Sequence, residues 1–284
     1  MKPLEGMIVL DFSQYLAGPS AALRLADLGA RAIKIERPGS GDGSRPMKLH
    51  NLESMGDSVL FQTINRNKES FCANLKSPED MAMVKRLIAR ADVMIENFRP
   101  GVMKKMGLDY ESVRRINPRL VYGTVTGYGT TGPWIKKPGQ DLLIQSMSGL
   151  VSLTGSDPEA PSPVGTPVVD QHGAVLAALG VVASVYDRAR TGKGHKVEAS
   201  LLGSALDLQQ EALGYYLNGG QFTERPTTGL STRFHQSPYG VYRTGDGCIT
   251  LSLVPVEKLR ELFTPGCLDG YTSRDQMERR LEFD

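Results

Sequence analysis

The sequence predicts an α/β fold with an open, largely parallel sheet. Short apolar runs of strand length alternate with helix-like segments over most of the chain. Strand, helix and strand follow one another within about thirty residues, the spacing of a βαβ unit. The opening run MIVLDF at 7–12 is a short apolar strand ending in Asp11. GPSAALRLADLGA at 18–30 follows with small and apolar residues at helical spacing, and Gly29 suits its C-terminal end. RAIKIE at 31–36 is the second strand, closed by the Pro/Gly turn ERPGSGD.

The pattern recurs. SFCANL at 70–75 reads as a strand. SPEDMAMVKRLIARA at 77–91 has Ser77 as N-cap and two acidic residues in its first turn, a favourable helix start. DVMIEN at 92–97 is a strand, two short helices follow, and RLVYGTVTGYG at 119–129 is another strand. A Pro/Gly/Ser/Thr-rich loop over 151–169 leads into Asp170. Beyond it come a small-residue helix at about 171–189, the strand HKVEASL and a helix over 201–218. The expected domains are 1–218, large and α/β, then a linker at 219–236 and a partial small domain at 237–284. That last part opens on a hairpin in YGVYRTGDGCITLSL.

Composition narrows the function classes. Of 284 residues, 40% are hydrophobic and 23% charged, with a net charge of +2. A chain this long can bury a core. Its charge offers no strong field for nucleic acid or an anionic membrane. Cys72, Cys248 and Cys267 form neither a CxxC pair nor a disulfide framework, which suits a reducing cytoplasm. The apolar stretch 174–186 falls short of the roughly 20 residues that span a bilayer, and reads as a buried core helix.

No glycine-rich phosphate loop, zinc-ligand spacing or serine-nucleophile elbow occurs. A metal is not expected. Asp170, at the end of GTPVVD and ahead of a helix, has two readings. It caps the helix, or it is a nucleophile kept ionised by the helix N-terminus, with Gly165, Thr166 and Gly173 leaving room for a ligand. Local sequence leaves both open. A second group is basic: Arg37, Lys76, Arg99, Lys104 and Lys105 lie near predicted carboxyl ends of strands, where open α/β sheets bind ligands. Converging Arg and Lys suit phosphates, while any one of them alone reads as solvated surface charge.

Taken together, LxGxxVLDFSxxLAGPSAAxxLADLGAxxIKIERPGxGDxxR, NRNKES, ADVMIENFRPGVMKKMGLDYESVRRINPRLVYGTVTGYGTTGP and RTGKGHKVEASLL resemble the class III CoA-transferases of CaiB/BaiF type, such as formyl-CoA and carnitine CoA-transferases. The resemblance implies a Rossmann-like large domain, a smaller α+β domain, and a homodimer of interlocked rings. It implies that Asp170 carries CoA as an aspartyl thioester between an acyl-CoA donor and a carboxylic acid. Coenzyme A is then substrate, and no permanent cofactor is needed. CoA contacts carry over to Arg37, to Ala73, Asn74, Leu75 and Lys76, to Asn97, Phe98 and Arg99, and to Lys105. Two departures touch specificity: Leu16 and Pro138 stand where formyl-CoA transferases have Gln and Lys. Family members are also longer, so the chain reads as truncated. Two alternatives accompany this reading. One is an α-methylacyl-CoA racemase-like enzyme, although this chain has GQD (139–141) where racemases have GHD. The other is an inactive CoA-binding relative.

Overall fold

The computed structural model describes residues 1–48, 52–54, 56–155, 161–222, 234–235, 239–252 and 255–262. By compactness the chain divides into two units, Met1–Ile144 with Pro167–Leu208, and Gln145–Thr166 with Gln209–Asp284.

The first unit is built on six strands: β1 (Ile8–Asp11), β2 (Arg31–Glu36), β3 (Lys68–Cys72), β4 (Val93–Glu96), β5 (Val121–Thr126) and β6 (Lys196–Ser200). Their order across the sheet is β3-β2-β1-β4-β5-β6, and every pairing is parallel. This is the doubly wound order, in which the chain works outward from β1 in one direction and then in the other. All of β4 and β5 is buried, as befits strands covered on both faces.

One face carries α3 (Pro78–Ile88), α4 (Val102–Lys105) and α5 (Tyr110–Ile116). Val84, Ile88, Met103, Leu108 and Val113 pack there with Leu10, Ile33, Met94 and Tyr122. Ser77 caps α3 by accepting from Asp80 N at 3.4 Å, and Asp109 caps α5. The long helix α8 (Val168–Thr191) packs against α1 (Ala17–Asp27), β5 and β6. Ala174, Ala177, Ala178 and Val181 are its buried residues in this stretch.

In the second unit, α7 (Leu150–Leu153) and α10 (Gln210–Leu217) accompany an antiparallel hairpin of β7 (Gly240–Arg243) and β8 (Cys248–Leu251), and α11 (Val256–Leu262) follows. The hairpin expected from the sequence is present. Most of the expected linker, and Cys267, lie outside the described residues.

Four expectations need correction. The third strand begins at Lys68, earlier than its apolar residues suggested, because the polar NRNKES segment supplies the pairing with β2. The loop expected at 151–169 contains most of α7 and the start of α8. The helix expected over 201–218 is two, α9 (Leu201–Leu208) and α10, broken at Gln209. Finally, α8 is not buried all round. It is long and apolar enough to cross a membrane by length and composition, and one face packs inward, but Val175, Leu179 and Tyr186 are exposed on another.

Polar residues at the carboxyl ends of β1 and β2 hold the first unit together. Lys68 Nζ lies 2.8 Å from Asp11 Oδ2 and donates to Pro19 O and Asn65 Oδ1, each at 2.8 Å. Lys34 Nζ lies 2.7 Å from Asp42 Oδ2 and 3.5 Å from Asp11 Oδ2. All four side chains are essentially inaccessible to water. Burial opposes ionisation of Asp11, but Lys34 and Lys68 outweigh it, with hydrogen bonds from Lys68 and Ser13, and hold it at about 2. Beside them, burial of Glu36 is outweighed by hydrogen bonds from Arg45, Ser70 and the Asp42 amide, which also hold it at about 2.

Both carboxyls therefore stabilise the fold above their unfolded pKa of roughly 4, and that contribution is lost as pH falls toward about 2. Removing Lys68 leaves Asp11 buried with only the longer ionic contact to Lys34. We expect Lys68→Met to cost about 3–5 kcal/mol in urea denaturation at pH 7. A loss near zero would show that the pair contributes no cohesion.

Candidate active site

In a doubly wound sheet, ligands bind in the crevice beyond the strand carboxyl ends where the strand order reverses. Here that crevice lies between β1 and β4. Asn97, directly after β4, spans it with both halves of its amide: Nδ2 donates to Gln14 O at 2.7 Å and Oδ1 accepts from Gln14 N at 2.8 Å. The rest of the β1–α1 loop is pinned as firmly. Ser13 donates its amide and hydroxyl to Asp11 Oδ1, Lys34 donates to Ser13 O, and Tyr15 N donates to Asp42 Oδ1.

The sequence-predicted contacts lie on segments after β2, β3 and β4, with Lys105 at the end of α4. Arg37 is exposed directly after β2. Ala73 is buried, with its amide donating to Glu36 O. Asn74 and Lys76 are exposed. Asn74 shapes the turn into α3, its amide donating to Asp80 Oδ2 at 2.7 Å and its Oδ1 accepting from Lys76 N at 3.1 Å. Leu75 and Phe98 pack against the core. Phe98, Arg99 and Lys104 line a cleft of about 630 Å³ with Tyr110, Tyr122 and Thr124. Arg37, Lys76 and Lys105 are not among the residues lining it. Glu96 also lines the cleft. Its burial pushes the pKa up, against hydrogen bonds from Thr124 and the Phe98 amide.

The acid at the end of β2 is engaged as well. In dinucleotide-binding sheets that position hydrogen-bonds a ribose. Here Glu36 accepts from Arg45, Ser70 and the Asp42 amide.

Asp170 lies in the first turn of α8, and the N-cap is Pro167, which makes no side-chain cap. The cap comes from elsewhere. Asp141, at the start of α6 (Asp141–Met147), accepts from Val169 N at 2.8 Å and from Asp170 N at 3.0 Å through the same oxygen. Gly127 and Gly139 make this approach possible, since a Cβ on either would lie 2.6 or 2.3 Å from the other's Cα. The capping reading of Asp170 is thus replaced. So is the expectation that the helix keeps it ionised: burial, then repulsion from Asp141, push Asp170 up to about 7. Gly173 makes no room for a ligand, because it lets α8 close onto Leu201 and Ser204 of α9. His172 is engaged with Asp207 at 2.6 Å.

Sequence reasoning passed over Asp141, reading GQD only for its missing histidine. It also passed over Lys68, although NRNKES was noted, because one lysine in a polar run gives no sign of burial.

Fold and site define a doubly wound α/β protein with a perturbed carboxyl in the first turn of α8. Its family follows from comparison: the model of CoA-transferase family III matches residues 4–278, and the chain belongs to that family. It is 38% identical to succinyl-CoA:glutarate CoA-transferase of Mus musculus, over 88% of this chain and 56% of the relative. It is also 38% identical to acetyl-CoA:oxalate CoA-transferase of Acetobacter aceti, over 86% of this chain and 61% of the relative. The chain thus spans little more than half the length of these two relatives. A CaiB/BaiF family protein from Brucella suis superposes with a TM-score of 0.85 at 32% identity, covering 99% of this chain and 78% of that one.

The capping geometry makes a prediction with two arms. Asp141→Ala removes the acceptor for two helix amides and should cost about 0.5–2 kcal/mol. Asp141→Asn keeps an acceptor and should cost less. Both remove the repelling charge, so the Asp170 carboxyl, followed by NMR titration, should move below about 7 in each variant. An unmoved titration would refute the assigned repulsion.

Proposed function

We propose that this chain transfers CoA from an acyl-CoA thioester to a free carboxylic acid through an aspartyl-CoA thioester on Asp170. The observation that carries the reading is the half-buried Asp170 carboxyl in the first turn of α8, in a chain of CoA-transferase family III. The Asp170 carboxylate attacks the donor thioester carbonyl, forming an acyl-aspartyl anhydride and expelling CoA thiolate. The thiolate attacks the aspartyl carbonyl, giving aspartyl-CoA and the free donor acid. The acceptor carboxylate repeats these steps in reverse, so one thioester replaces another without ATP or metal.

Arg37 and Lys76 meet the CoA phosphates, with Arg99 and Lys105, where charge-assisted bonds are strongest. Ala73, Asn74, Leu75, Asn97 and Phe98 complete the contact surface. The named relatives act with glutarate or oxalate, which supports a small dicarboxylic acid as acceptor. Leu16, where formyl-CoA transferases have Gln, argues against formyl or oxalate specificity. The exposed apolar residues of α8 support a homodimer, since apolar patches of this kind mark protein contacts. We place the protein in the cytoplasm, in keeping with three cysteines scattered along the sequence, of which Cys72 and Cys248 are free.

Asp170→Ala should abolish transfer while leaving the thermal transition nearly unchanged. Because the nucleophile must be ionised, kcat/KM of the wild type should rise with pH through about 7 and then level. Donor acyl-CoA in heavy water should gain no α-deuterium. Rapid deuterium uptake that survives loss of the acceptor acid would replace this reading with the racemase.

A further inference from the structure

The long helix α8 takes part in two histidine–aspartate pairs, one near each end. His172 Nε2 lies 2.6 Å from Asp207 Oδ2, and His195 Nε2 lies 2.7 Å from Asp187 Oδ2. The second pair ties the end of α8 to the residue just ahead of β6, and the first ties its beginning to the end of α9. Their side chains are 25% and 51% exposed in the first pair, and 44% and 40% in the second. Pairs this open to water add little stability. They differ in place: His172 stands two residues from Asp170.

Contacts around Asp170 close into a ring. Asp141 accepts from the amides of Val169 and Asp170. Two residues ahead of it, Gly139 lies directly against Gly127. Gly127 O accepts from Leu202 N at 3.0 Å, in the first turn of α9. Near the other end of α9, Asp207 meets His172 and returns the ring to α8. Between the two helices Gly173 permits the close approach, since a Cβ there would lie 3.1 Å from Leu201 Cδ2 and Ser204 Oγ. All these residues belong to the first unit. The opening of α8 is thus gripped twice, by its amides from Asp141 and by a side chain from α9. Residues two apart on a helix do not share a face, so His172 acts on Asp170 through the backbone between them. We infer that His172, anchored by Asp207, is a positioning residue that fixes the first turn of α8 against α9 and so holds the Asp170 carboxyl in place. Its bearing on catalysis rests on the transferase reading above.

The test compares the two pairs in the whole chain. Burial is the larger cause of the raised Asp170 pKa, and Asp141 the smaller. His172→Ala frees the turn and admits water, so the Asp170 carboxyl, followed by NMR titration, should move below about 7. Asp141 is kept, so its repulsion is not what changes. His195→Ala breaks the matching pair at the far end of α8 and should leave the Asp170 titration where it was. His172→Gln, which keeps an N–H for Asp207, should move it less than His172→Ala. In transfer assays His172→Ala should lower kcat about tenfold, with KM for the acyl-CoA donor within about twofold, as a displaced nucleophile requires. Should His172→Ala fail to fold, Asp207→Ala breaks the same bond from its more exposed end and is read in the same way. An unmoved titration, an equal shift from His195→Ala or an unchanged kcat would each overturn the inference. A wild type that transfers no CoA would overturn the transferase reading, while the titrations would still decide the anchor.

Discussion

Two lysines and two aspartates, closed off from water, organise the working end of this sheet. Lys34 and Lys68 meet Asp11 and Asp42 where β1 and β2 end. Charges so placed give little net stability over an apolar replacement, because desolvation offsets their attraction. What they give here is position. Asp42 is also the acceptor for Tyr15 N, and Lys34 holds Ser13 O. Lys68 reaches to Pro19 inside α1 and to Asn65 ahead of β3. One set of ions thus fixes the loop after β1, the loop after β2 and the entry into β3.

The crevice inherits its shape from that set. With residues 13–15 held in place, Asn97 can bridge β4 to Gln14, closing the point where strand order reverses. Across the sheet the same economy recurs with one carboxylate. Asp141 caps α8 through two amides and, by its charge, adds to the rise that burial gives the neighbouring Asp170. Neither device needs a long-range field. Each consists of a few polar atoms at hydrogen-bond distance, in places where water is scarce and electrostatics correspondingly strong.

Much of this was legible in the sequence, and the reasons are specific. Continuous apolar runs located β1, β2, β4 and β5, because parallel strands buried on both faces need little alternation. Ser77 announced α3 through its cap. The polar start of β3 gave no such signal: Lys68 pairs in register with Ala32 of β2 while its ammonium is buried with Asp11, and a lysine in NRNKES reads as surface until the partner is known. The same holds at Asp141, which caps a helix 28 residues further along the chain. Contacts between residues distant in sequence leave no periodic trace. The apolar character of α8 was plain, but which of its faces is covered depends on neighbouring elements rather than on the helix itself.

The proposed transfer requires Asp170 to become covalently loaded. The most direct measurement incubates the chain with a donor acyl-CoA, quenches with hydroxylamine and maps the products by peptide mass. A hydroxamate is expected at Asp170, formed only when donor is present. Productive transfer of CoA with no adduct at Asp170, or with the adduct on another carboxylate, would contradict it.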